Sequence, residues 1–356
     1  MKVLVGLSGG IDSAVATKLL LDEGYDVTTC TLRLLPQSIT DDNQDNERIA
    51  KATKIAKHFG VPHIIYDFRD EFKKLVIDYF VSTYKMGETP NPCYVCNSKI
   101  KFGLMLQKAL KNGFEHIATG HYATIKKDGE TGAERHHLLK AKDTNKDQSY
   151  FLSCLSGEQL AHSIFPLSYL TKDEVKAIAK NIGLSFDNIK ESQDICFVKN
   201  GDYARLISSV SSFCDFPKGN FIDSENHILG WHKGLQHYTI GQRRGLSLSM
   251  GEPFYVIKKD ATSNSITVGK REELICQSLV ATHLNMIEEI SIGKKVLIDA
   301  RTRYRQIAKK AYIALDDDMN IRLEFLEADE AVAKGQVVAF YQGDYCLGSA
   351  IIKETF

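Results

Sequence analysis

A glycine-rich octet near the start of the chain, Gly6-Leu7-Ser8-Gly9-Gly10-Ile11-Asp12-Ser13, fixes what stands on either side of it. An apolar run at 3–7 leads in as a buried strand, and an amphipathic pattern at 12–21 leads out as a helix. Glycine lets the backbone turn sharply and brings bare N–H groups close to a ligand. The helix N-terminus behind the turn adds partial positive charge, so the place suits phosphate. Ser8 and Ser13 supply hydroxyl donors. With no lysine in the turn this is not the G-x-x-x-x-G-K-[ST] loop, and its glycine spacing is not G-x-G-x-x-G either.

Beyond the octet, short apolar runs alternate with helical patterns, which is how a parallel sheet covered by helices is written. Strands are expected at 27–32, 63–67 and 115–119. Helices are expected at 47–59, 71–84 and 97–110, with Gly60 and Gly113 as stops. Residues 126–137, with Asp128-Gly129 inside, read as a hairpin tip. Thr171-Lys172-Asp173-Glu174 is a capping box that opens a helix striped with Val175, Ile178, Ala179 and Ile182, a structural element on this reading. After about residue 200 the texture changes to short strands at 239–240, 254–257, 265–268, 295–298, 311–314, 321–325 and 337–341. A chain of 356 residues exceeds what one core serves. The expected division is an α/β domain over 1–199, a small linking domain over 200–269 and an all-β domain over 270–356.

No run of eighteen apolar residues occurs, so no membrane span is expected. The start lacks the pattern of a signal or transit peptide, which makes the cytoplasm the expected compartment. The 45 Lys and Arg balance 45 Asp and Glu, and that average argues against a nucleic-acid surface. The distribution argues otherwise: from Lys294 to Lys310 seven basic residues stand against one acid, Asp299. If 296–306 is a strand, Arg301, Arg303 and Arg305 share a face that suits phosphates; without a nucleic-acid partner it would be a solvated β face. His232, Lys233, Arg243 and Arg244 form a second basic cluster.

Eight cysteines in a chain this long do not make a disulfide framework. Cys30, Cys154, Cys214, Cys276 and Cys346 stand singly among apolar residues and read as small buried hydrophobes. Thr89-Pro90-Asn91-Pro92-Cys93-Tyr94-Val95-Cys96-Asn97 is different. It places Cys96 at an expected helix N-terminus with Lys99 and Lys101 following, and both effects lower a thiol pKa. A zinc site would want four ligands, and neither a second CxxC nor a histidine pair is at hand. The octet resembles the pyrophosphatase loop of enzymes that split ATP between its α and β phosphates to adenylate an oxygen. Sulfur attack is a sensible next step, so a nucleophilic pair of Cys96 with the distant Cys196 fits best. His58, His63, His136 and His137 lack ligand spacing and read as surface or packing residues.

Further strings complete a pattern: Ala118-Thr119-Gly120-His121-Tyr122, Asn145-Lys146-Asp147-Gln148-Ser149-Tyr150-Phe151-Leu152, Asp194-Ile195-Cys196-Phe197, His237-Tyr238-Thr239-Ile240-Gly241-Gln242-Arg243-Arg244-Gly245-Leu246, Thr302-Arg303-Tyr304-Arg305-Gln306 and Gly335-Gln336. In this order they resemble, nearly end to end, the tRNA-specific 2-thiouridylase family of the PP-loop ATP pyrophosphatase superfamily. The resemblance implies a Rossmann-like sheet of the adenine nucleotide α-hydrolase type, a small central α+β domain and a C-terminal β-barrel. It implies that ATP, with Mg2+, adenylates O2 of the wobble uridine in Lys-, Glu- and Gln-type tRNAs. A persulfide on Cys196, loaded by a sulfur-relay protein or cysteine desulfurase, then supplies sulfur, with Cys96 as its partner thiol.

The same resemblance assigns Gly6, Leu7, Ser8, Gly9, Gly10, Ile11, Asp12, Ser13, Leu32 and Gly120 to ATP. Asn91, Pro92 and Cys93 fall beside the target base, and His121, Lys146, Asp147, Gln148, Arg303, Tyr304 and Gln336 fall on tRNA. One departure stands out. Many members carry Asp where this chain has Cys93, and a thiol is the weaker hydrogen-bonding group and the better metal ligand. Cys93, Cys96 and Cys196 are therefore alternative ligands of a [4Fe-4S] cluster. Other classes are a PP-loop pyrophosphatase acting on a small molecule, which leaves Cys96, Cys196 and the arginines unexplained, and a non-catalytic RNA- or metal-binding protein.

Overall fold

The computed structural model describes residues 1–37, 39, 42–129, 134–183, 195–198, 203–210, 217–248, 251–288, 293–316 and 318–356. Strands β1 (Lys2–Gly6), β2 (Asp26–Arg33), β3 (His63–Asp67) and β4 (His116–Ala118) come first. A hairpin of β5 (Thr124–Asp128) and β6 (Arg135–Leu139) follows, and then β7 (Ser163–Ile164). Five of these form one parallel sheet in the order β3-β2-β1-β4-β7. Buried on both faces, β1 reads as the apolar run Val3-Leu4-Val5, all without exposure.

Helices α1 (Ile11–Asp22), α2 (Asp42–His58), α3 (69–85), α4 (92–111), α5 (Lys172–Asn181) and α6 (Tyr203–Val210) complete the layers. Val15 and Ala16 of α1 pack on Val175 and Ala179 of α5. Phe72 and Phe80 of α3 join Ile100 and Phe102 of α4 and Leu4 of the sheet in a second core. Both α3 and α4 contain π-type turns, Lys73–Ile77 and Cys96–Met105, a departure from regular α-helix that often accompanies a functional site.

The central part pairs β8 (Gly219–Ile222), β9 (Ile228–His232), β10 (Tyr255–Asp260) and β11 (Ser265–Gly269) in the order β10-β11-β8-β9. Residues 239–240, expected as a strand, form a turn in which Gln242 N–H donates to the Thr239 carbonyl. The last third holds β12 (Ile275–Met286), β13 (Val296–Arg301), β14 (Lys309–Leu315), β15 (Ile321–Glu330), β16 (Val337–Gln342) and β17 (Tyr345–Thr355). They run β12-β15-β14-β13-β16-β17, and β12 pairs back to β17, so six strands close into a barrel. Closure removes free edges except where β17 takes on the β5–β6 hairpin, through Cys346 opposite Leu138. Leu138, Val337 and Tyr341 then share the core of α3 and α4, which welds the barrel to the parallel sheet.

The expected arginine face is corrected here. β13 ends at Arg301, so 303 and 305 lie in a turn and the alternation does not reach them. Thr302, fully buried, sets its hydroxyl 2.6 Å from Gln306 Oε1 and 2.8 Å from Asp329 Oδ2, sharing its one proton between them, and holds the turn in place. His232 is also no surface cation. It is buried, its Nδ1 accepts from Gly234 N–H, its Nε2 donates to the Asn264 carbonyl, and burial lowers its pKa.

Candidate active site

The octet wraps the mouth of a cavity of about 480 Å³. Gly6, Leu7, Ser8, Gly10, Ile11, Asp12 and Ser13 line it together with Leu32 and Gly120. Gly9 does not line it, yet glycine is required there: φ is +84° and a Cβ would sit 3.3 Å from the Arg48 carbonyl oxygen. The turn is internally bonded, Ser8 N–H donating to Ser13 Oγ at 3.2 Å and Ser13 Oγ donating to the Gly10 carbonyl at 3.1 Å. Gly10 caps α1 with no side-chain acceptor, which leaves the first helical N–H groups for a ligand. Gly120 lies against the same helix start. A Cβ there would be 2.8 Å from the Asp12 carbonyl carbon, so only glycine lets the strand-end loop approach the octet this closely.

Among the lining residues Arg48, Lys101, Lys146 and Lys172 are cationic, and Asp12 is the one carboxylate. That balance suits a polyanion such as a triphosphate. Lys172 is buried and sets its Nζ 2.7 and 2.8 Å from the Asp12 carboxylate oxygens, while Tyr122 OH donates to Asp12 Oδ1 at 2.8 Å. The capping box read as structural is present, and it also delivers Lys172 to the cavity from the first turn of α5. Spacing gave Lys172 and Arg48 no distinguishing mark. Both arrive from helices whose sequences read as ordinary amphipathic cover.

His121 lines the cavity with one nitrogen 2.6 Å from Thr119 Oγ1 and the other 3.3 Å from Lys101 Nζ. The ammonium can only donate, so Nε2 accepts and Nδ1 carries the proton toward Thr119. Burial, reinforced by Lys101, holds this imidazole well below its usual pKa and hence neutral. Lys146, Gln148 and Tyr304 also line the cavity, Tyr304 reaching it from the turn after β13 and stacking on Phe151 at 4.4 Å.

Two residues expected on tRNA face inward instead. Asp147 is buried; it accepts from Ala141 N–H, Ser149 N–H and Ser149 Oγ, and pairs with Arg301 at 3.1 Å. Gln336 donates to the carbonyls of Thr89 and Pro90 at 3.1 and 2.9 Å, so it grips the cysteine loop from the barrel. Arg303 is exposed, with one guanidinium N–H on the Glu330 carbonyl.

The thiols depart from expectation as well. Helix α4 begins at Pro92 under an Asn91 cap, whose side chain accepts from Tyr94 N–H at 3.2 Å. Cys93 therefore stands in the first turn, and Cys96 lies a turn deeper and buried. Burial pushes the Cys96 thiol up to about 12 and the Cys93 thiol up to about 11, with Lys101 pulling each back only in part. Desolvation thus outweighs the helix start and the lysine, reversing the expected shift. Cys196 is an exposed residue. Surrounding protein pushes its thiol up, while Lys101 and Arg48 pull against that. Its neighbour Phe197 is anchored edge-on between Phe72 and Phe80 of α3, which presents Cys196 toward α4. The charge of Cys196 adds to the upward push on Cys93 and Cys96, and that of Cys93 adds to the push on Cys96. Even so, among the described residues no three His, Cys, Asp or Glu side chains gather closely enough to hold a metal ion. The three thiols as placed do not fit a preformed iron–sulfur cluster. Residues 191–194, upstream of Cys196, and Cys214 lie outside the described residues; Cys30, Cys154, Cys276 and Cys346 are buried as expected.

The sequence matches the family described as tRNA methyl transferase HUP domain over residues 1–200. It matches the tRNA methyl transferase PRC-barrel domain over 209–270 and the aminomethyltransferase beta-barrel domain over 276–352. It is 52% identical over 359 residues to the tRNA-specific 2-thiouridylase MnmA of Treponema denticola, covering 99% of this chain and 98% of that one. The chain belongs to the tRNA-specific 2-thiouridylase family. A 2-thiouridylase of Clostridium tetani is 39% identical over 365 residues, covering 99% of this chain and 98% of that one. The U34-tRNA thiolase NcsA of Methanococcus maripaludis, solved with its [4Fe-4S] cluster, aligns with a TM-score of 0.36 at 19% identity, over 58% of this chain and 64% of that one. Among the described residues of this 2-thiouridylase, no helix is long and apolar enough to cross a membrane.

Proposed function

We propose that this chain makes 2-thiouridine in tRNA at the cavity between the octet and the cysteine loop, acting in the cytoplasm. The observation that carries the reading is one shared residue. Lys101 lines the nucleotide cavity and acts electrostatically on Cys93, Cys96 and Cys196, so the ATP half and the thiol half meet at a single cation. ATP is the co-substrate, bound with its phosphates on the uncapped start of α1. A magnesium ion would arrive on the triphosphate, since Asp12 alone among the lining residues is a carboxylate and Mg2+ needs few protein ligands.

In the first step the uridine O2 attacks the α-phosphorus, the α–β bridge breaks, and pyrophosphate leaves. In the second, the outer sulfur of a Cys196 persulfide attacks C2 and AMP departs. Cys96 then attacks the Cys196 sulfur. The S–S bond of the adduct breaks toward the base, a Cys96–Cys196 disulfide forms, and the thiocarbonyl remains on the uridine. The sulfane sulfur gains the two electrons that the thiols lose, and an external thiol resets the pair. Cys96 needs help to ionise in this resting arrangement, and approach of Lys101 on tRNA binding is the chain's own means of giving it. Lys-, Glu- and Gln-type tRNAs and a persulfide donor protein are the partners this chemistry calls for. The test is the ATP product. Incubated with unmodified tRNA, the enzyme should form AMP and pyrophosphate; ADP and phosphate, or no dependence on tRNA, would overturn the reading.

A further inference from the structure

The only tryptophan of the chain is not in a core. Trp231 lies on β9, the outer strand of the central sheet, and is 72% exposed. Opposite residues of paired strands share a sheet face, so register shows what accompanies it. Trp231 faces Asn220 of β8, and a register shift beyond Phe221 sets Ile222 opposite Ile228. The shift keeps Ile228, itself 61% exposed, on the same face as Trp231. The opposite face carries Phe221 and Ile266, both without exposure, and holds the core.

Charge on the outer face is one-sided. Continuing the register from Gly219 opposite His232 puts Lys218 beside Lys233, and Lys258 stands opposite Thr267 in the same face. All three lysines are exposed, and none forms an ion pair among the described residues. The acid of that face, Asp260, accepts from the N–H groups of Thr262 and Ser263 and is further held ionised by Lys258, which leaves Lys218 and Lys233 as the cations beside Trp231. Asn220 stands directly opposite Trp231, and its buried side-chain Oδ1 has no hydrogen-bond partner among the described residues.

A flat aromatic ring with flanking lysines on an open sheet face forms a platform for an unpaired base and its phosphates. A protein-docking patch would set apolar residues within a balanced rim, whereas this rim is cationic. We propose that this face of the central sheet is a second tRNA contact, with an unpaired base stacked on Trp231 and Lys218 and Lys233 on the adjoining phosphates. The proposal rests on the tRNA reading above and extends it to residues that do not line the nucleotide cavity.

A lone tryptophan is its own reporter. Unmodified tRNA is titrated into the full-length enzyme while Trp231 emission is followed, and binding is measured in parallel from the anisotropy of end-labelled tRNA. Emission should fall by about half or more, with the same midpoint as the anisotropy. Trp231→Ala should weaken tRNA binding about tenfold, Trp231→Tyr should restore most of it, and ATP affinity should be unchanged in both. If anisotropy rises while emission stays constant and Trp231→Ala binds like the wild type, the proposal is overturned, though the tRNA reading stands. If neither signal moves, both fall.

Discussion

Lys172 Nζ sits within 2.8 Å of both carboxylate oxygens of Asp12, from a buried position on the first turn of α5. The pair fixes the octet's one carboxylate and puts a cation at the cavity wall. Lys172→Met leaves Asp12 facing the incoming phosphates uncompensated. Charge-assisted hydrogen bonds contribute roughly 1.5–3 kcal/mol, so ATP affinity should fall about 10- to 100-fold. Isothermal titration of ATP measures it, and an unchanged affinity would remove Lys172 from the site.

Gly120→Ala places a methyl 2.8 Å from the Asp12 carbonyl carbon and 2.9 Å from Ser13 N, both backbone atoms of the octet. The loop must back away. The expected loss is about 1–3 kcal/mol of stability, as for other overpacked sites, with a larger loss of ATP binding. Thermal melts with and without ATP separate the two. A melting temperature and ATP shift equal to wild type would contradict the close approach.

Burial holds Cys96 near 12 and Cys93 near 11, above the ordinary thiol value of 9.0. Both thiols therefore stay protonated through neutral pH in the enzyme without tRNA. Because the folded state keeps a proton the unfolded chain releases, their contribution to stability is complete below about pH 9 and is lost as pH rises toward 12. Iodoacetamide labelling followed by peptide mass spectrometry at pH 7.5 should find Cys196 modified first. Equal labelling of Cys96 at that pH would show that the buried arrangement does not persist in solution.

Gln336→Leu removes the two hydrogen bonds to the Thr89 and Pro90 carbonyls that hold the cysteine loop to the barrel. Each neutral bond contributes about 1 kcal/mol, so up to roughly thirtyfold of turnover should be lost while ATP affinity holds. Turnover at saturating tRNA reads the effect. A variant with normal turnover would leave the contact purely structural.

Arg303 is exposed beyond the end of β13, where its side chain donates to the Glu330 carbonyl. Arg303→Ala should weaken tRNA binding several-fold and reduce the salt slope by about one. An unchanged slope would take the residue out of the interface.

Much of this arrangement was legible in the chain. Alternating apolar runs and helical stripes gave the parallel sheet because periodicity is a local property, and the octet declared its own strand and helix. The C-terminal β-barrel came from the family resemblance, while the local pattern of the strands that close it did not show it. β12 and β17 are long, and register shifts near Cys276, Val280 and Phe340 break the alternation that announces a strand. The contacts Asp147 and Gln336 make within the chain were not legible, because a polar residue in a loop looks the same in sequence whether it faces solvent or bonds to its own chain. The thiol pKa shifts failed for a related reason: neighbours in sequence show Lys101 and the helix start, but only the packed structure shows the desolvation that outweighs them.

The central claim is that Cys96 and Cys196 together deliver sulfur to a uridine that the octet has activated with ATP. Unmodified Lys- or Glu-type tRNA, incubated anaerobically with ATP and a persulfide donor, is digested to nucleosides and weighed by mass spectrometry for wild type, Cys96→Ser and Cys196→Ser. The account predicts 2-thiouridine from wild type and at least a hundredfold less from either variant, with ATP still bound by both. Thiouridine at wild-type levels from Cys96→Ser or Cys196→Ser, or none from wild type while ATP is still cleaved to AMP, would contradict it.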